Sequence, residues 1–158
     1  MVQTTARDSG EQKVLDHIAT YGWHCTNILE EGALPPWTFS IGFYSSWQFP
    51  ELITIGLKRD TAHSVLGIVA AMLRRGAAPA LRLPCDDLLE NHSCRFVEVP
   101  KSQYREHVGW ARWYYDGDDF PLYQIVWPSR SGHFPWEQES TPEFRAWQPV
   151  LGHASIVA

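Results

Sequence analysis

The sequence predicts an α+β fold in one domain: about five mostly antiparallel strands, two to three helices and an irregular, aromatic C-terminal wrap. Three observations carry this. Strand-like runs follow one another without a helix between them at residues 23–30, 37–43 and 51–57. Helical periodicity is confined to a few separate stretches. The 158 residues contain no low-complexity linker and no repeat that would divide the chain.

Taken in order, residues 1–10 are polar and expected to be flexible, and residues 11–151 form the domain. From Glu11 the apolar residues Val14, Leu15, Ile18 and Tyr21 fall on one helical stripe, with Ser9 as a capping candidate. Gly22 stands where a left-handed residue stops a helix. The run Trp-His-Cys-Thr-Asn-Ile-Leu-Glu at 23–30 reads as a strand, with His24 and Cys25 on opposite faces. A second strand carries Trp37, Phe39 and Ile41 on one face, and Phe43–Pro50 follows as an aromatic loop. Glu51–Leu57 is a β-branched third strand. Asp60 is a plausible cap for a helix over 60–75 that turns Val65, Val69, Met72 and Leu73 to the core, and Gly76 ends it. Residues 79–84 read as a short extended piece, and 86–93 as irregular or a helical turn. A fourth strand covers 94–99, a helix 102–115 and a fifth strand 121–128. The stretch after Gly132 mixes Pro with large aromatics and reads as a non-regular wrap, with 152–158 as a tail.

Lys plus Arg is 13 and Asp plus Glu is 18, a formal net charge of −5. That argues against nucleic acid as a partner, because phosphate binding scales with the cations offered. The longest apolar stretch, Val65–Leu73, is far short of the roughly 20 residues that span a bilayer, so no membrane association is expected. The N-terminus has no apolar core of a secretory signal, and three widely spaced cysteines give no disulfide framework. A cytoplasmic location is the expectation.

The phrases Tyr-Gly-Trp-His-Cys (21–25), Pro-Pro-Trp-Thr-Phe-Ser-Ile-Gly-Phe (35–43), Phe-Pro-Glu-Leu-Ile-Thr-Ile-Gly-Leu (49–57), Cys-Arg-Phe-Val-Glu-Val (94–99), Asp-Phe-Pro-Leu-Tyr-Gln-Ile-Val-Trp-Pro (119–128) and Gly-His-Phe-Pro-Trp-Glu (132–137) occur in that order. Together they resemble the domain-of-unknown-function family 4262, from about Asp16 to Leu151. The resemblance implies a small bacterial cytoplasmic α+β protein and no known activity. Phe49 stands where that family often has His, and Ser129 where it usually has Asp. A fainter similarity, two strands long, links the chain to suppressor-of-fused-like domains and implies a protein-binding or immunity-type role.

Among residues able to do chemistry, Glu51 opens a strand beside an aromatic loop. Burial among Phe43, Trp47 and Phe49 raises a carboxyl pKa toward neutrality and makes it a usable acid or base, against the plainer reading of a structural carboxylate. His24 on its strand and His133 in the Gly-His-Phe-Pro-Trp turn have the right intrinsic pKa to carry a proton. His63, at the start of a helix, reads as surface. The catalytic candidates are therefore Glu51, His24 and His133. The ligand-binding candidates are Trp47, Phe49, Trp136 and Phe43, since loop aromatics either anchor a wrap or line a pocket. No metal site is expected: Cys85, His92 and Cys94 match no zinc spacing, and Asp116, Asp118 and Asp119 lack the pattern of a calcium loop. No nucleotide-binding glycine motif and no hydrolase elbow occurs, so no cofactor is expected. The leading functional reading is an aromatic-lined small-molecule site, a cofactor-free acid–base enzyme for an aromatic or apolar metabolite. A protein-interaction or immunity-type module is the alternative, and a structural domain with no site is the third. Oligomeric state is not readable.

Overall fold

The computed structural model describes residues 1–153. The fold is α+β, built on one open sheet of six strands: β1 (His24–Ile28), β2 (Trp37–Ile41), β3 (Glu51–Ile55), β4 (Cys85–Leu89), β5 (His92–Glu98) and β6 (Leu122–Val126). Their spatial order is β1-β2-β3-β6-β5-β4. Four pairings are antiparallel, and β3 with β6 is parallel. Six α-helices accompany the sheet: α1 (Ser9–Tyr21), α2 (Phe43–Trp47), α3 (Arg59–Arg74), α4 (Tyr104–His107), α5 (Gly109–Tyr115) and α6 (Pro142–Trp147).

Strand alternation sorts the core into two layers. On one face Leu52, Cys94, Phe96 and Ile125 pack against Val65, Leu66, Val69 and Leu73 of α3, with Trp23, Phe43 and Phe49 at the near end. On the other face Phe39, Ile41, Ile53, Ile55 and Leu122 pack against Val14 of α1, Tyr104 of α4, Ala111 and Tyr115 of α5, and Val108 between those two helices. The sheet thus lies between α3 and the α1/α4/α5 layer, and β1 and β4 are its two edges.

Several expectations need correction. There are six strands, because 85–89 pairs with β5 as a hairpin instead of forming a helical turn. Its Asp-Asp-Leu-Leu sequence has little strand propensity, and the β5 partner imposes the conformation. Asn91 takes φ 63° in the turn between the two. Residues 79–84 carry no strand. The aromatic loop contains α2. The long helix expected over 102–115 is split by Val108, whose φ −130° and ψ 46° are not helical, into α4 and α5 after a 3₁₀ turn at Lys101–Gln103. The C-terminal wrap contains α6, capped by the Thr141 side chain with Pro142 in its first turn. Asp8, not Ser9, caps α1 by accepting from the Glu11 amide, and Asp60 lies inside the first turn of α3 instead of capping it.

The segment before α1, expected to be flexible, runs against α5, where the Gln3 amide donates to the Tyr114 carbonyl at 2.8 Å. The C-terminal wrap is fastened by two buried glutamines. Gln148 accepts from the Trp127 amide and donates to its carbonyl (3.0 and 2.8 Å), and Gln124 donates to the Pro149 carbonyl and accepts from the Leu151 amide (both 2.9 Å). Each side-chain amide stands in for a missing strand neighbour. The end of the expected tail, residues 154–158, lies outside the described residues.

Candidate functional site: a cleft around the free edge of β1

Glu51 opens β3 and is completely buried. Its side chain projects to the same face as Ile53 and Ile55, toward α5. Five donors converge on the carboxylate. Ser40 Oγ (2.7 Å) and the Phe43 amide (3.1 Å) reach Oε1; the Gly42 (2.9 Å) and Tyr44 (3.1 Å) amides and the Tyr115 hydroxyl reach Oε2. Burial pushes its pKa above the usual carboxylate range, against the pull of Tyr115, Ser40 and the amides. The Tyr115 phenol is pushed up in turn, by burial first and then by the Glu51 charge. The amides of 42–44 are the donors that a short helix leaves unpaired at its start, so Glu51 anchors α2 to the sheet.

The anchored α2 sets the next contact. Trp47 lies against Gly22, whose φ of +88° ends α1; a Cβ there would sit 2.6 Å from the indole. The Gly22 amide donates back to the Ile18 carbonyl at 2.8 Å. Only glycine gives both the left-handed turn and the room. Over the Trp47 ring the Arg74 guanidinium lies 5.8 Å from the centroid and donates to the Tyr21 carbonyl at 2.8 Å. Trp47 therefore helps hold Arg74, and Arg74 is one wall of the largest described cleft.

That cleft, about 680 Å³, is lined by Lys13, His17 and Tyr21 of α1, by Trp23, His24, Cys25 and Asn27 of β1, and by Arg59, Asp60, His63 and Arg74 of α3. A smaller hollow of about 390 Å³ continues it along β1 to Leu29 and Trp110. The two together wrap the free edge of β1. His24 projects to the α1 side, where its Nδ1 lies 2.8 Å from His17 Nδ1. Trp23 and Cys25 project to the α3 side. Trp23 also meets His63, with ring centroids 6.0 Å apart.

The electrostatics are one-sided. Among the described residues, Lys13, Arg59 and Arg74 face Asp60 as the only carboxylate of the lining. Among the described residues none of these three cations has a carboxylate within salt-bridge distance. Burial, then His17 and Lys13, push the His24 pKa down to about 4, so the ring is neutral at pH 7. Two Nδ1 atoms at 2.8 Å need one proton between them, so one ring donates and the other accepts. Burial raises the Cys25 thiol to about 11, against Arg59 and Asn27, and keeps it protonated. Thr26 borders the smaller hollow, and its buried Oγ1 has no hydrogen-bond partner among the described residues. No three His, Cys, Asp or Glu side chains among the described residues are grouped to hold a metal ion.

Residues 17–141 match the family described as Domain of unknown function (DUF4262). The chain belongs to this family. No curated protein and no solved structure matches it. The DUF4262 match includes every lining residue of the larger cleft except Lys13. It names no activity, and any reading of the site rests on its geometry.

Of the catalytic and ligand-binding candidates named from the sequence, the structure places only His24 in this cleft, beside His63, which the sequence reads as surface. Trp47 sits behind it, holding Arg74. Phe43 and Phe49 are buried in the α3-side core. Glu51 is sealed beneath α2 and lines none of the described cavities. His133 is in the C-terminal wrap, with Nδ1 3.8 Å from Glu137. Trp136 stacks on Phe134 at 5.0 Å and borders a separate hollow of about 300 Å³ with Arg145 and Gln148. That wrap packs at the far end of β3, where Trp127 and Trp147 donate to the Ile55 and Gly56 carbonyls, roughly 13 Å along the strand from Glu51. The expected set of Glu51, His24 and His133 is thus not brought together. His17, Lys13, Arg59 and Arg74 escape the sequence reading. A signal for them exists: Lys13, His17 and Tyr21 recur every fourth residue on α1, as Arg59 and His63 do on α3, and each series shares a helix face.

Proposed function

We propose that the cleft around β1 binds a small anionic molecule with an aromatic or apolar part, and that His17 and His24 exchange a proton with it. The supporting observation is the convergence on one cleft of three cations that have no carboxylate partner among the described residues, in a chain whose net charge is −5. Arg59, at the start of the 16-residue α3, adds its charge to the positive end of the helix dipole. Tyr21 and Trp23 supply flat apolar wall. The His17–His24 pair accepts one further proton at a free Nε2 while keeping its Nδ1 bond, so a bound acid has somewhere to deliver its proton. This keeps the acid–base chemistry expected from the sequence and moves it from Glu51 to His17.

Titration with inorganic phosphate, benzoate and phenyl phosphate, followed by the imidazole resonances of His17, His24 and His63, tests the reading. Saturable shifts that weaken at least about tenfold in a Lys13→Ala, Arg59→Ala double variant support it. Absence of shifts at millimolar probe, or equal shifts in the double variant, sinks it.

A second reading is a protein-interaction module. It is favoured by β1 being a sheet edge with no strand on its outer side among the described residues, a position at which an extended acidic segment can add as a strand. Binding of a glutamate-rich peptide with no response to the small anions selects this reading over the first.

A further inference from the structure

Cys85 and Cys94 face each other directly across the β4–β5 ladder. Both are free and both are buried. Opposed Cα atoms in an antiparallel pair are roughly 4.5–5.5 Å apart, and disulfides span roughly 4.4–6.8 Å. The two side chains share a sheet face, because both belong to the core layer that contains Leu88, Phe96 and α3. The residues next to them, Asp86 and Ser93, are joined by a side-chain hydrogen bond. The register irregularity lies between Cys85 and Leu89, on the turn side of the cysteine pair. β4 is the outermost strand, so opening it breaks pairing on one side alone. The third cysteine, Cys25, is on the opposite edge strand of the sheet.

Burial raises both thiols, Cys94 to about 12, so the closed hairpin keeps them protonated and inert. Reaction therefore needs β4 to lift from β5, and an edge strand is where such local opening is easiest.

We propose that Cys85 and Cys94 are a latent disulfide pair, closed by exchange with a small-molecule disulfide such as oxidised glutathione. In the first step the Cys85 thiolate attacks one sulfur of the small disulfide. A protein–small-molecule mixed disulfide forms, the original S–S bond breaks and one small thiolate leaves. In the second step the Cys94 thiolate attacks the Cys85 sulfur, forming the intrachain bond and releasing the second small thiolate. The two cysteine protons end on the two released thiols. The protein pair is oxidised by two electrons and the small disulfide is reduced by two. The product covalently ties the edge strand to β5 beneath α3.

The test uses the full chain at equilibrium in a glutathione redox buffer, quenched with acid, alkylated and digested with trypsin. Cleavage after Arg82 and Arg95 puts both cysteines in one peptide, 83–95. The expected result is that this peptide lacks two hydrogens and takes no alkyl group, while Cys25 remains alkylated. The ratio of closed to open pair should be at least about tenfold higher in the folded chain than in urea, because the ladder holds the sulfurs at high effective concentration. Two alkyl groups on peptide 83–95, glutathione adducts in place of the bond, a link to Cys25, or equal closure in urea would each overturn the proposal. No substituted protein is needed, so a folding defect cannot obscure the outcome.

Discussion

Around Glu51 every polar atom has a match: five donors meet one carboxylate in a place that water does not reach. Two strands away, around His24, three cations line an open cleft and have no carboxylate partner among the described residues. Both regions hold polar side chains near aromatic rings, which is why sequence alone ranks Glu51 above the cleft. The contrast lies in what the polar groups already do. A carboxylate whose acceptor capacity is filled by backbone amides, a serine and a tyrosine is committed to holding α2. Side chains on separate elements that point their charge into an open cleft are free to serve a ligand.

The largest effect that separates the two regions is expected from Glu51→Ala. It leaves three amides and two hydroxyls without their acceptor in the core, at a cost of roughly 3–5 kcal/mol. Urea unfolding measures it; a loss under about 1 kcal/mol would break the comparison, because it would make Glu51 dispensable to the fold. Tyr115→Phe removes one donor from the same carboxylate and the acceptor of the Ser45 amide. About 2 kcal/mol should be lost, the value of a hydrogen bond to a charged group.

Gly22→Ala tests the link between the regions. A Cβ at positive φ that presses on the Trp47 indole should cost about 1–2 kcal/mol. It should also displace the ring under Arg74, so anion binding falls along with stability. Unchanged binding at reduced stability would uncouple Trp47 from the cleft.

His24 gives a smaller, pH-dependent effect. Its folded pKa of about 4 lies below the ordinary histidine value of 6.5. Between those values the unfolded chain binds more protons than the native one. Its contribution to stability is therefore intact above pH 6.5, falls as pH drops toward 4 and then levels. Allowing for its partial exposure, the difference is about 1 kcal/mol. The urea midpoints of wild type and His24→Gln, compared at about pH 7 and about pH 4.5, isolate it; parallel acid sensitivity in both would remove His24 as the cause. The smallest stability change belongs to Lys13→Ala and Arg59→Ala, each expected within about 0.5 kcal/mol. Here the same substitutions should cost binding without costing the fold, the reverse of the Glu51 pattern.

Most of the sheet is legible in the sequence. Strands β1, β2, β3, β5 and β6 announce themselves through β-branched and aromatic runs, and the stripe Val65/Val69/Met72/Leu73 is buried as its periodicity requires. What stays hidden has physical reasons. Asp-Asp-Leu-Leu becomes β4 through its partner strand. Phe43–Trp47 is too short to display a helical period, and Glu51 supplies its cap from another element. The Thr141-Pro142 start of α6 carries a readable capping signal within a segment dominated by aromatics. The cleft is legible only at His24. Its other charged walls come from α1 and α3, and the strand order alone brings those helices to the two sides of β1.

The glutamine pair that fastens the C-terminal wrap sets an order of events. Gln124 is on β6, and Gln148 grips the backbone of Trp127 just beyond it. Both grips bind residues 148–151 to Gln124 and Trp127, so they need β6 in place before the wrap can close on it. The wrap should thus gain these bonds after β6 is placed, and it can release them without opening the sheet. On a hydrogen-exchange time axis, the Leu151 amide should report this late fastening, exchanging well before the amides of β3 and β6.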